Sequence, residues 1–354
     1  MNDKKWSLLL ICALLLTLVI FAGAMYILDP VLGYGTECSL TPYYTYSTIY
    51  TNPGIARHYH YDTVLVGTSM VQNTDVDVCE ELLDCDMVRL PYSGGTSYDM
   101  KTILDLCFES GNDLKTVYWE LDQFQLDASS KEHRYPVPEY LYNNDWTDDI
   151  SYLLNLDIMY HYGMNNILGS LRGQTSLAER RGITLGGDFS RDATLASYNR
   201  PAQSNTFRSF EGNMKTKVEG NLKNMVSLIE AHPDTEFVFF FPPFSILYWD
   251  RELRNGTFDA TMDATEYAIS ALLSYDNVRL YFYQAEEEII SDLDHYKDYS
   301  HYGEWINNMI TEWIAEDYGR VTPDNYQQII LNMRNMVQNY DYESVFDGSA
   351  SVTS

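Results

Sequence analysis

Residues 62–69 read DTVLVGTS, and this stretch decides how the rest of the chain is interpreted. Its first five residues form a short run of mostly apolar and β-branched side chains, which is typical of a parallel strand covered on both faces. The run ends in Gly67, Thr68 and Ser69. In doubly wound α/β folds the loops after the carboxyl ends of the strands form the functional crevice. The stretch therefore predicts both a strand and a place for chemistry.

Four further apolar runs have the same character and are separated by helical patterns. The runs cover residues 87–90, 116–121, 236–241 and 278–282. The helical patterns cover about 76–83, 98–109, 214–231 and 261–274, with one more from about 303 to 317. Strands that alternate with helices imply right-handed crossovers. The sequence therefore predicts an α/β domain with a three-layer, doubly wound parallel sheet of five strands.

The regular alternation is interrupted once, between the third and fourth runs. Residues from about 125 to 212 contain no clear strand, are rich in Tyr, Asn and Asp, and carry a helical pattern near 149–162. A structureless loop of that length is rare in a compact domain, so we interpret it as a large insert that covers the carboxyl edge of the sheet. Near the end of the chain, the apolar spacing over 329–337 predicts an amphipathic helix, and the residues after 346 are expected to fray.

Residues 6–28 carry no charge and are long enough to cross a bilayer core about 30 Å thick as a helix. Lys4 and Lys5 precede them, so the positive-inside rule keeps the N-terminus in the cytoplasm and exports everything after Asp29. The alternative is a cleaved signal peptide and a secreted protein, because residues 22–24 read AGA, a small-x-small site. We favour the single-pass anchor because the apolar run continues past that site.

These patterns divide the chain into five parts. We expect a cytoplasmic tip over 1–5, the membrane anchor or signal peptide over 6–28, a linker over 29–61, the α/β domain with its insert over 62–320, and a C-terminal helix with a frayed tail over 321–354.

The composition excludes several classes of function. The net charge is −28, from 51 acidic and 23 basic residues, which argues against binding nucleic acid and against adhesion to anionic lipid through a basic patch. The chain is also 14% aromatic with 30 tyrosines, which suits contacts with carbohydrate or another polymer. No CxxC pair or Cys/His ladder suggests a metal, so we expect neither a metal nor another cofactor.

Ser69 is the candidate nucleophile, because a serine at a strand end beside a glycine can present its hydroxyl and a backbone N–H together. The alternative is a turn and helix N-cap, a role that Ser and Thr often fill. Asp298 and His301 follow the fifth run with a spacing that lets the carboxylate contact the imidazole. Such a pair fixes the tautomer of a general base, although a helix cap beside a surface histidine has the same spacing.

The positions of these groups reinforce one another. Ser69 follows the first strand and the Asp298/His301 pair follows the fifth, so all three lie at the same edge of one parallel sheet. After the second strand come Gly94 and Gly95, where the backbone can approach a ligand closely. A backbone N–H of one of these glycines would be a second donor to an oxyanion.

In this order of motifs the chain resembles the SGNH/GDSL hydrolases. Gly67-Thr68-Ser69 stands where that family has Gly-Asp-Ser, and Asp298-Tyr-Ser-His301 matches its last block. The resemblance is closer to the exported, membrane-anchored branch that includes the teichoic acid D-alanyl transfer protein and the alginate acetylation proteins. It covers about residues 60–125 and 214–318. It implies the strand order 2-1-3-4-5, with Ser69 as nucleophile, His301 as base and Asp298 as its orienting partner.

The third block departs from the family pattern, which commonly has an asparagine after the third strand. Here the strand runs into Glu120-Leu121-Asp122-Gln123. A carboxylate at Asp122 cannot donate a hydrogen bond unless it is protonated. Either Asn73 or Gln123 then supplies the third donor, or the oxyanion is stabilised less well. Ser245, after the fourth strand, is a further candidate at the rim of the crevice, with a structural turn as the alternative.

Two functions from different classes remain open. The first is a serine esterase or O-acyltransferase that acts through acyl-Ser69 on a polysaccharide or similar polymer of the bacterial cell envelope, with a membrane acyltransferase as a candidate partner. The second is a catalytically inactive scaffold of the same fold that binds a glycan or a partner membrane protein. Reaction of Ser69 with a fluorophosphonate probe separates the two, because only an activated serine should react.

Overall fold

The computed structural model describes residues 3–36, 38–143, 145–174 and 186–347. By their internal contacts these residues divide into two units. The first unit contains the described residues up to 60, together with 102–112 and 135–174, and the second contains 61–101, 113–134 and 186–347. The domain boundaries expected from the sequence stay a prediction.

The second unit is built on a sheet that has six strands within the described residues. They are β1 (Thr63–Gly67), β2 (Met87–Pro91), β3 (Thr116–Glu120), β4 (Glu236–Phe241), β5 (Val278–Phe282) and β6 (Arg320–Val321). Their order is β2-β1-β3-β4-β5-β6, and the first five are parallel. The predicted α/β class and the order 2-1-3-4-5 are confirmed.

The described residues also form α-helices between and around these strands. They are α1 (Asp3–Leu28), α2 (Asn52–His58), α3 (Val76–Leu83), α4 (Ser97–Glu109), α5 (Gln123–Asp127), α6 (Ile150–Leu153), α7 (Leu156–Ile158), α8 (Met164–Leu171), α9 (Arg191–Ser197), α10 (Asn213–Ala231), α11 (Ile246–Asn255), α12 (Phe258–Leu272), α13 (Glu287–Ile290), α14 (Glu304–Ala315), α15 (Tyr326–Asn339) and α16 (Tyr342–Asp347). Single turns of 3₁₀-helix cover Ser69–Val71, Glu139–Leu141 and Leu293–His295, and a π-helical turn covers Met159–Gly163.

The sheet is covered on both faces. On one face, Leu65, Tyr118 and Tyr281 join an apolar cluster with buried side chains of α3 and α14. Helices α10 and α12, which contact each other, belong to the crossovers into β4 and β5, and right-handed crossovers place them on the opposite face. There the rings of Trp119 and Phe239 lie 5.6 Å apart between their centroids. This two-sided burial explains why the strands appear in the sequence as nearly continuous apolar runs.

Strand β6 and helix α11 are among the elements that were not predicted. Strand β6 has only two residues, which pair antiparallel with Leu280 and Tyr281 and are too few to give a periodic pattern. It follows a turn in which Asp317 and Gly319 have φ angles of 58° and 75°. Helix α11 starts directly after Ser245, in a region that the sequence interpretation treated as a turn because of its prolines.

The described residues between β3 and β4 add no strand to the sheet, as predicted for the insert. The helix expected over 149–162 is instead divided into α6, α7 and the π-helical turn that leads into α8. Asn155 causes the interruption before α7, because its side chain accepts a hydrogen bond from the Ile158 N–H at 2.9 Å and so starts a new helix. Residues 175–185 of the predicted insert lie outside the described residues.

Helix α1 is, within the described residues, the one helix long and apolar enough to cross a membrane. Its large side chains between Trp6 and Ile20 are exposed, whereas Met25 near its end is fully buried in the first unit. Just after it, the buried Asp29 carboxylate accepts hydrogen bonds from the Tyr152 hydroxyl at 2.6 Å and the Tyr34 N–H at 3.0 Å. A signal sequence has the same length and composition, so anchoring and orientation stay predictions.

Candidate active site

The first strand delivers Ser69 to the carboxyl edge of the sheet. Ser69 begins a 3₁₀ turn whose N-cap, Thr68, accepts a hydrogen bond from the Met70 N–H. The glycine before it is required by a close approach, because a Cβ on Gly67 would lie 2.6 Å from Glu120 Cβ and 2.8 Å from its Oε2. The small residue therefore lets the strand end pass directly over a buried carboxyl group.

The side chains of Ser69, His301 and Asp298 form a continuous hydrogen-bonded chain. Ser69 Oγ lies 2.8 Å from His301 Nε2, and His301 Nδ1 lies 2.8 Å from Asp298 Oδ2. The first distance confirms the predicted proximity of the hydroxyl and the imidazole. These contacts assign the Nδ1–H tautomer, in which the Nε2 lone pair faces the Ser69 hydroxyl. That the three residues are catalytic stays a prediction.

Asp298 is held in its ionised form. Burial alone would raise its pKa, but the hydrogen bond and charge of His301, together with the backbone N–H groups of His301 and Ser300, lower the pKa well below its usual range. The two N–H groups donate to Oδ1 at 2.8 and 2.9 Å. The Asp298 carboxylate thus caps the turn and contacts the imidazole at the same time. From the sequence alone, these two roles, a cap and a partner of the histidine, were alternatives.

Ser245 and Asn73 support the histidine loop and do not line the cavity in front of it. Ser245 is fully buried, and its hydroxyl donates to the Tyr299 carbonyl at 2.6 Å. Asn73 donates to the Tyr302 carbonyl at 3.4 Å and accepts a hydrogen bond from Asn307 at 2.8 Å. These positions correct the assignment of both residues to oxyanion or substrate binding: they hold the backbone on either side of His301.

Of the two glycines after β2, one has a backbone N–H that is available to a substrate. The Gly95 N–H donates to the Tyr92 carbonyl at 2.6 Å, so it is already engaged. Gly94 has a φ of 62°, lines the cavity beside Ser69, and its N–H donates to no other described residue. The Ser69 N–H is likewise without an acceptor in the described part of the chain. The cavity that contains the Ser69 hydroxyl is therefore lined by two residues with available backbone donors, as an oxyanion site requires.

The third strand places two carboxyl groups beside this turn. The Thr68 N–H and hydroxyl donate to Glu120 Oε2 at 2.7 and 3.0 Å. Asp122 caps α5, because its Oδ1 accepts the Gln125 N–H at 2.7 Å. Gln123 is not a free donor, since its amide pairs with that of Gln284 at 2.6 and 3.0 Å. The sequence interpretation missed Glu120, although a carboxyl at the end of an otherwise apolar strand was a visible signal.

Both carboxyl groups titrate above their ordinary range. Glu120 is fully buried, and desolvation followed by the nearby charge of Asp122 raises its pKa. Asp122 is 4% exposed. Its burial, opposed by hydrogen bonds from the Gln125 and Phe124 backbone and from the Thr68 side chain, raises its pKa to about 6. The environment beside the candidate nucleophile therefore favours protonated carboxyls.

A cavity of about 690 Å³ opens in front of Ser69 and His301. Three arginines line it although the chain as a whole is strongly acidic. Arg208 is neutralised by a bidentate pair with Asp127 at 2.6 and 2.7 Å, whereas Arg251 donates to the Tyr299 hydroxyl at 2.6 Å. The third is Arg134, which lies over the Phe124 ring. Sequence reasoning did not find these residues, because they come from the insert and from α11 rather than from strand ends.

No metal site accompanies this cavity in the part of the chain that the structure describes. No three His, Cys, Asp or Glu side chains among those residues come together as metal ligands would.

Known proteins offer only a distant likeness. The sequence matches no protein-family model, and a search of curated proteins gives no significant match. Among solved structures, the chain is similar to one described as "a putative platelet activating factor from Streptococcus pneumonia", with 9% sequence identity and a TM-score of 0.37. The likeness covers 82% of this chain and 91% of that chain. A TM-score this low carries no argument for function, which has to be argued from the site itself.

Proposed function

We propose that this protein is a serine esterase or O-acyltransferase that works through an acyl-Ser69 intermediate. The observation that carries the proposal is the chain from Ser69 through His301 to Asp298, with Oγ and Nε2 2.8 Å apart at the edge of an open cavity. A nucleophile, a base and an orienting carboxylate in hydrogen-bond contact are the geometric signature of nucleophilic acyl transfer. The backbone N–H groups of Ser69 and Gly94 add the donors that the reaction needs.

The reaction then proceeds in two halves. Ser69 Oγ attacks the ester carbonyl, His301 Nε2 takes the hydroxyl proton, and Asp298 stabilises the imidazolium that forms. The tetrahedral intermediate collapses, and the leaving alcohol receives that proton from His301. In the second half His301 deprotonates water or an acceptor hydroxyl, whose oxygen attacks the acyl carbon. The bond from that carbon to Ser69 Oγ then breaks, and His301 returns the proton to Oγ. Water makes the protein an esterase, and a sugar hydroxyl makes it an acyltransferase.

The cavity supports a polar acylated substrate, such as a polysaccharide of the cell envelope. Its volume, about 690 Å³, is in the range of small-molecule and cofactor sites. Its wall combines arginines with the aromatic rings of Tyr248 and Tyr299, which lie roughly parallel at 6.4 Å between centroids. An inactive scaffold is the second candidate, and Asp122 favours it, because an ionised carboxylate beside an oxyanion repels it. A partner membrane acyltransferase that supplies the acyl group belongs to the same proposal.

Labelling with a fluorophosphonate probe tests the function. We expect the wild-type protein to be labelled at Ser69, because only a serine activated by a neighbouring base reacts with such probes. Peptide mass spectrometry locates the label, and Ser69→Ala should remove it. Ser274→Ala is a matched control and should remain labelled, because the Ser274 hydroxyl donates to the Ala271 carbonyl at 2.7 Å outside the cavity. A folded wild-type protein that takes no label would favour the scaffold.

We also propose that α1 holds the protein at the membrane with the catalytic domain outside. The full chain should require detergent for extraction, and a variant that lacks residues 1–20 should be soluble, since most of the exposed large apolar side chains of α1 lie within those residues. Met25 and Asp29 are kept because both are buried in the first unit. A mature protein whose N-terminal sequence starts near Met25 would show that the segment is a cleaved signal peptide.

A further inference from the structure

The sequence alone does not identify which residue would supply a third hydrogen-bond donor to the oxyanion. The pairing register of β1 with β3 runs from Thr63 opposite Thr116 to Val66 opposite Trp119. Ser69 and Asp122 each follow the end of one of these neighbouring strands by two residues, since β1 ends at Gly67 and β3 at Glu120. Neighbouring strands lie about 4.8 Å apart, so the carboxyl group and the candidate nucleophile share one end of the crevice. Both residues line the same cavity with Gly94.

The other donors considered for this role are used elsewhere. The Asn73 amide donates to the Tyr302 carbonyl. The Gln123 amide donates to Gln284 at 2.6 Å and to the Thr265 hydroxyl at 3.5 Å, and its oxygen accepts from Gln284. Asp122 has one oxygen, Oδ1, engaged as the cap of α5. The second oxygen of Asp122 is the polar atom after β3 that remains available to a ligand in the cavity. It can donate a hydrogen bond only if it carries a proton.

The carboxyl groups of Glu120 and Asp122 are both buried beside this turn, and burial raises the pKa of each. The Thr68 N–H and hydroxyl both donate to Glu120 Oε2, at 2.7 and 3.0 Å. Glu120 Oε1 is buried and has no hydrogen-bond partner, which is costly for an ionised group. Two buried carboxyls that raise each other's pKa favour a state in which one of them carries a proton.

We propose that Asp122 in its protonated form donates the third hydrogen bond to the substrate oxyanion. The inference rests on the proposed function, which it deepens. When Ser69 Oγ attacks, the π electrons of the carbonyl move onto its oxygen, and the Ser69 N–H, the Gly94 N–H and the Asp122 hydroxyl all donate to that oxygen. When the C=O bond re-forms and the alcohol leaves with the proton from His301, Asp122 retains its own proton. The carboxyl takes the place of the asparagine amide of the related hydrolases.

The proton on Asp122 makes the reaction sensitive to pH. Ionisable side chains from several elements line the same cavity as Asp122 or interact with its charge. They are Glu120, Asp127, Arg134, Arg208, Tyr248, Arg251, Glu252, Tyr299, His301 and Tyr302. Burial raises the pKa of Asp122 to about 6. Above that value the carboxyl ionises, loses its donor and repels the oxyanion. Activity on a neutral ester should therefore fall on the alkaline side.

Three variants of the full chain in detergent test this role with p-nitrophenyl acetate, followed as kcat/KM between about pH 4.5 and about pH 9. The wild type should lose activity above about pH 6. In Asp122→Asn the alkaline fall should vanish, so that this variant exceeds the wild type at about pH 8, because an amide donates at every pH. Asp122→Ala should lose about 10²–10³-fold at the acid optimum. Glu120→Gln should keep the alkaline fall.

The outcomes separate this inference from the function on which it rests. Thermal unfolding checks that each variant is folded, and Asn retains the cap of α5 where Ala does not. If Ser69 is labelled by the fluorophosphonate but the wild type stays active to about pH 9 and Asp122→Asn brings no gain, the oxyanion has two donors and the role of Asp122 is overturned. Loss of the alkaline fall in Glu120→Gln alone would assign the proton to Glu120 and also overturn it. A folded protein without labelling overturns both proposals.

Discussion

Replacing His301 with glutamine is expected to lower ester turnover by about 10⁶-fold, the cost of removing the base from a serine triad. The imidazole is the only described group within hydrogen-bond distance of Ser69 Oγ, at 2.8 Å. Glutamine fills a similar volume but cannot accept and return a proton at neutral pH. The variant should therefore stay folded and lose both turnover and labelling, as measured with p-nitrophenyl acetate and the fluorophosphonate probe.

The chain itself offers a matched control for this prediction. His295 stands six residues earlier in the same loop and bonds Trp305 at 3.1 Å, outside the cavity. His295→Gln should leave turnover within a few-fold of wild type. A double variant, Ser69→Ala with His301→Gln, should be no worse than either single variant, because the residues of a triad act as one unit. Turnover that survives in His301→Gln would remove the histidine from the mechanism.

Replacing Asp298 with asparagine should lower turnover by about 10⁴-fold with little change in stability. The asparagine oxygen can still accept the N–H groups of Ser300 and His301, which donate to Oδ1 in the native protein. Its NH₂ group, however, faces His301 Nδ1 and favours the tautomer with the proton on Nε2, which cannot accept the Ser69 proton. The asparagine therefore still caps the turn, whereas His301 can no longer act as the base for Ser69.

The stability expected for Asp298→Asn follows from the lowered pKa. A carboxyl whose pKa is lower in the folded state contributes stability above its unfolded pKa, and that contribution is lost as the pH falls through the folded value. The variant should thus be less stable than wild type near neutral pH and equal to it in strong acid. Because Asp298 and His301 are both more than a quarter exposed, the difference should stay below about 1 kcal/mol.

Asp292→Asn is the matched control, since Asp292 and His295 repeat the same three-residue spacing nearby. It caps the 3₁₀ turn Leu293–His295 and does not line the cavity. Its replacement should leave turnover and labelling unchanged. Equal turnover in Asp298→Asn and wild type, checked by chemical unfolding and ester hydrolysis, would leave at most a Ser69–His301 dyad.

The strands could be predicted from the sequence because burial on both faces requires a nearly continuous run of apolar residues. Residues 236–241 and 278–282 were predicted with the bounds that the structure has, since nearly every side chain there is apolar. Strand β6 could not be predicted in this way, because its two residues form a strand through their pairing with β5 and not through their own composition. The helix expected over 149–162 was divided because Asn155 caps a new helix, a local competition that apolar spacing does not reveal.

The sequence by itself also determined which chemistry meets at the edge of the sheet. Parallel strands all end on the same side, so Ser69 after the first strand and His301 after the fifth converge without any knowledge of side-chain positions. It could not determine that Asp298-x-x-His301 forms the site while Asp292-x-x-His295 does not, since both have the same spacing.

Only the tertiary structure decided which polar groups are available to a substrate. Gly94 and Gly95 are neighbours in sequence, yet only the Gly95 N–H is consumed by a turn. Asn73 and Ser245 were plausible donors until their partners in the histidine loop were known. The physical reason is that a hydrogen-bond donor serves one acceptor at a time. Whether a donor is free depends on contacts between residues distant in sequence, which local patterns do not encode.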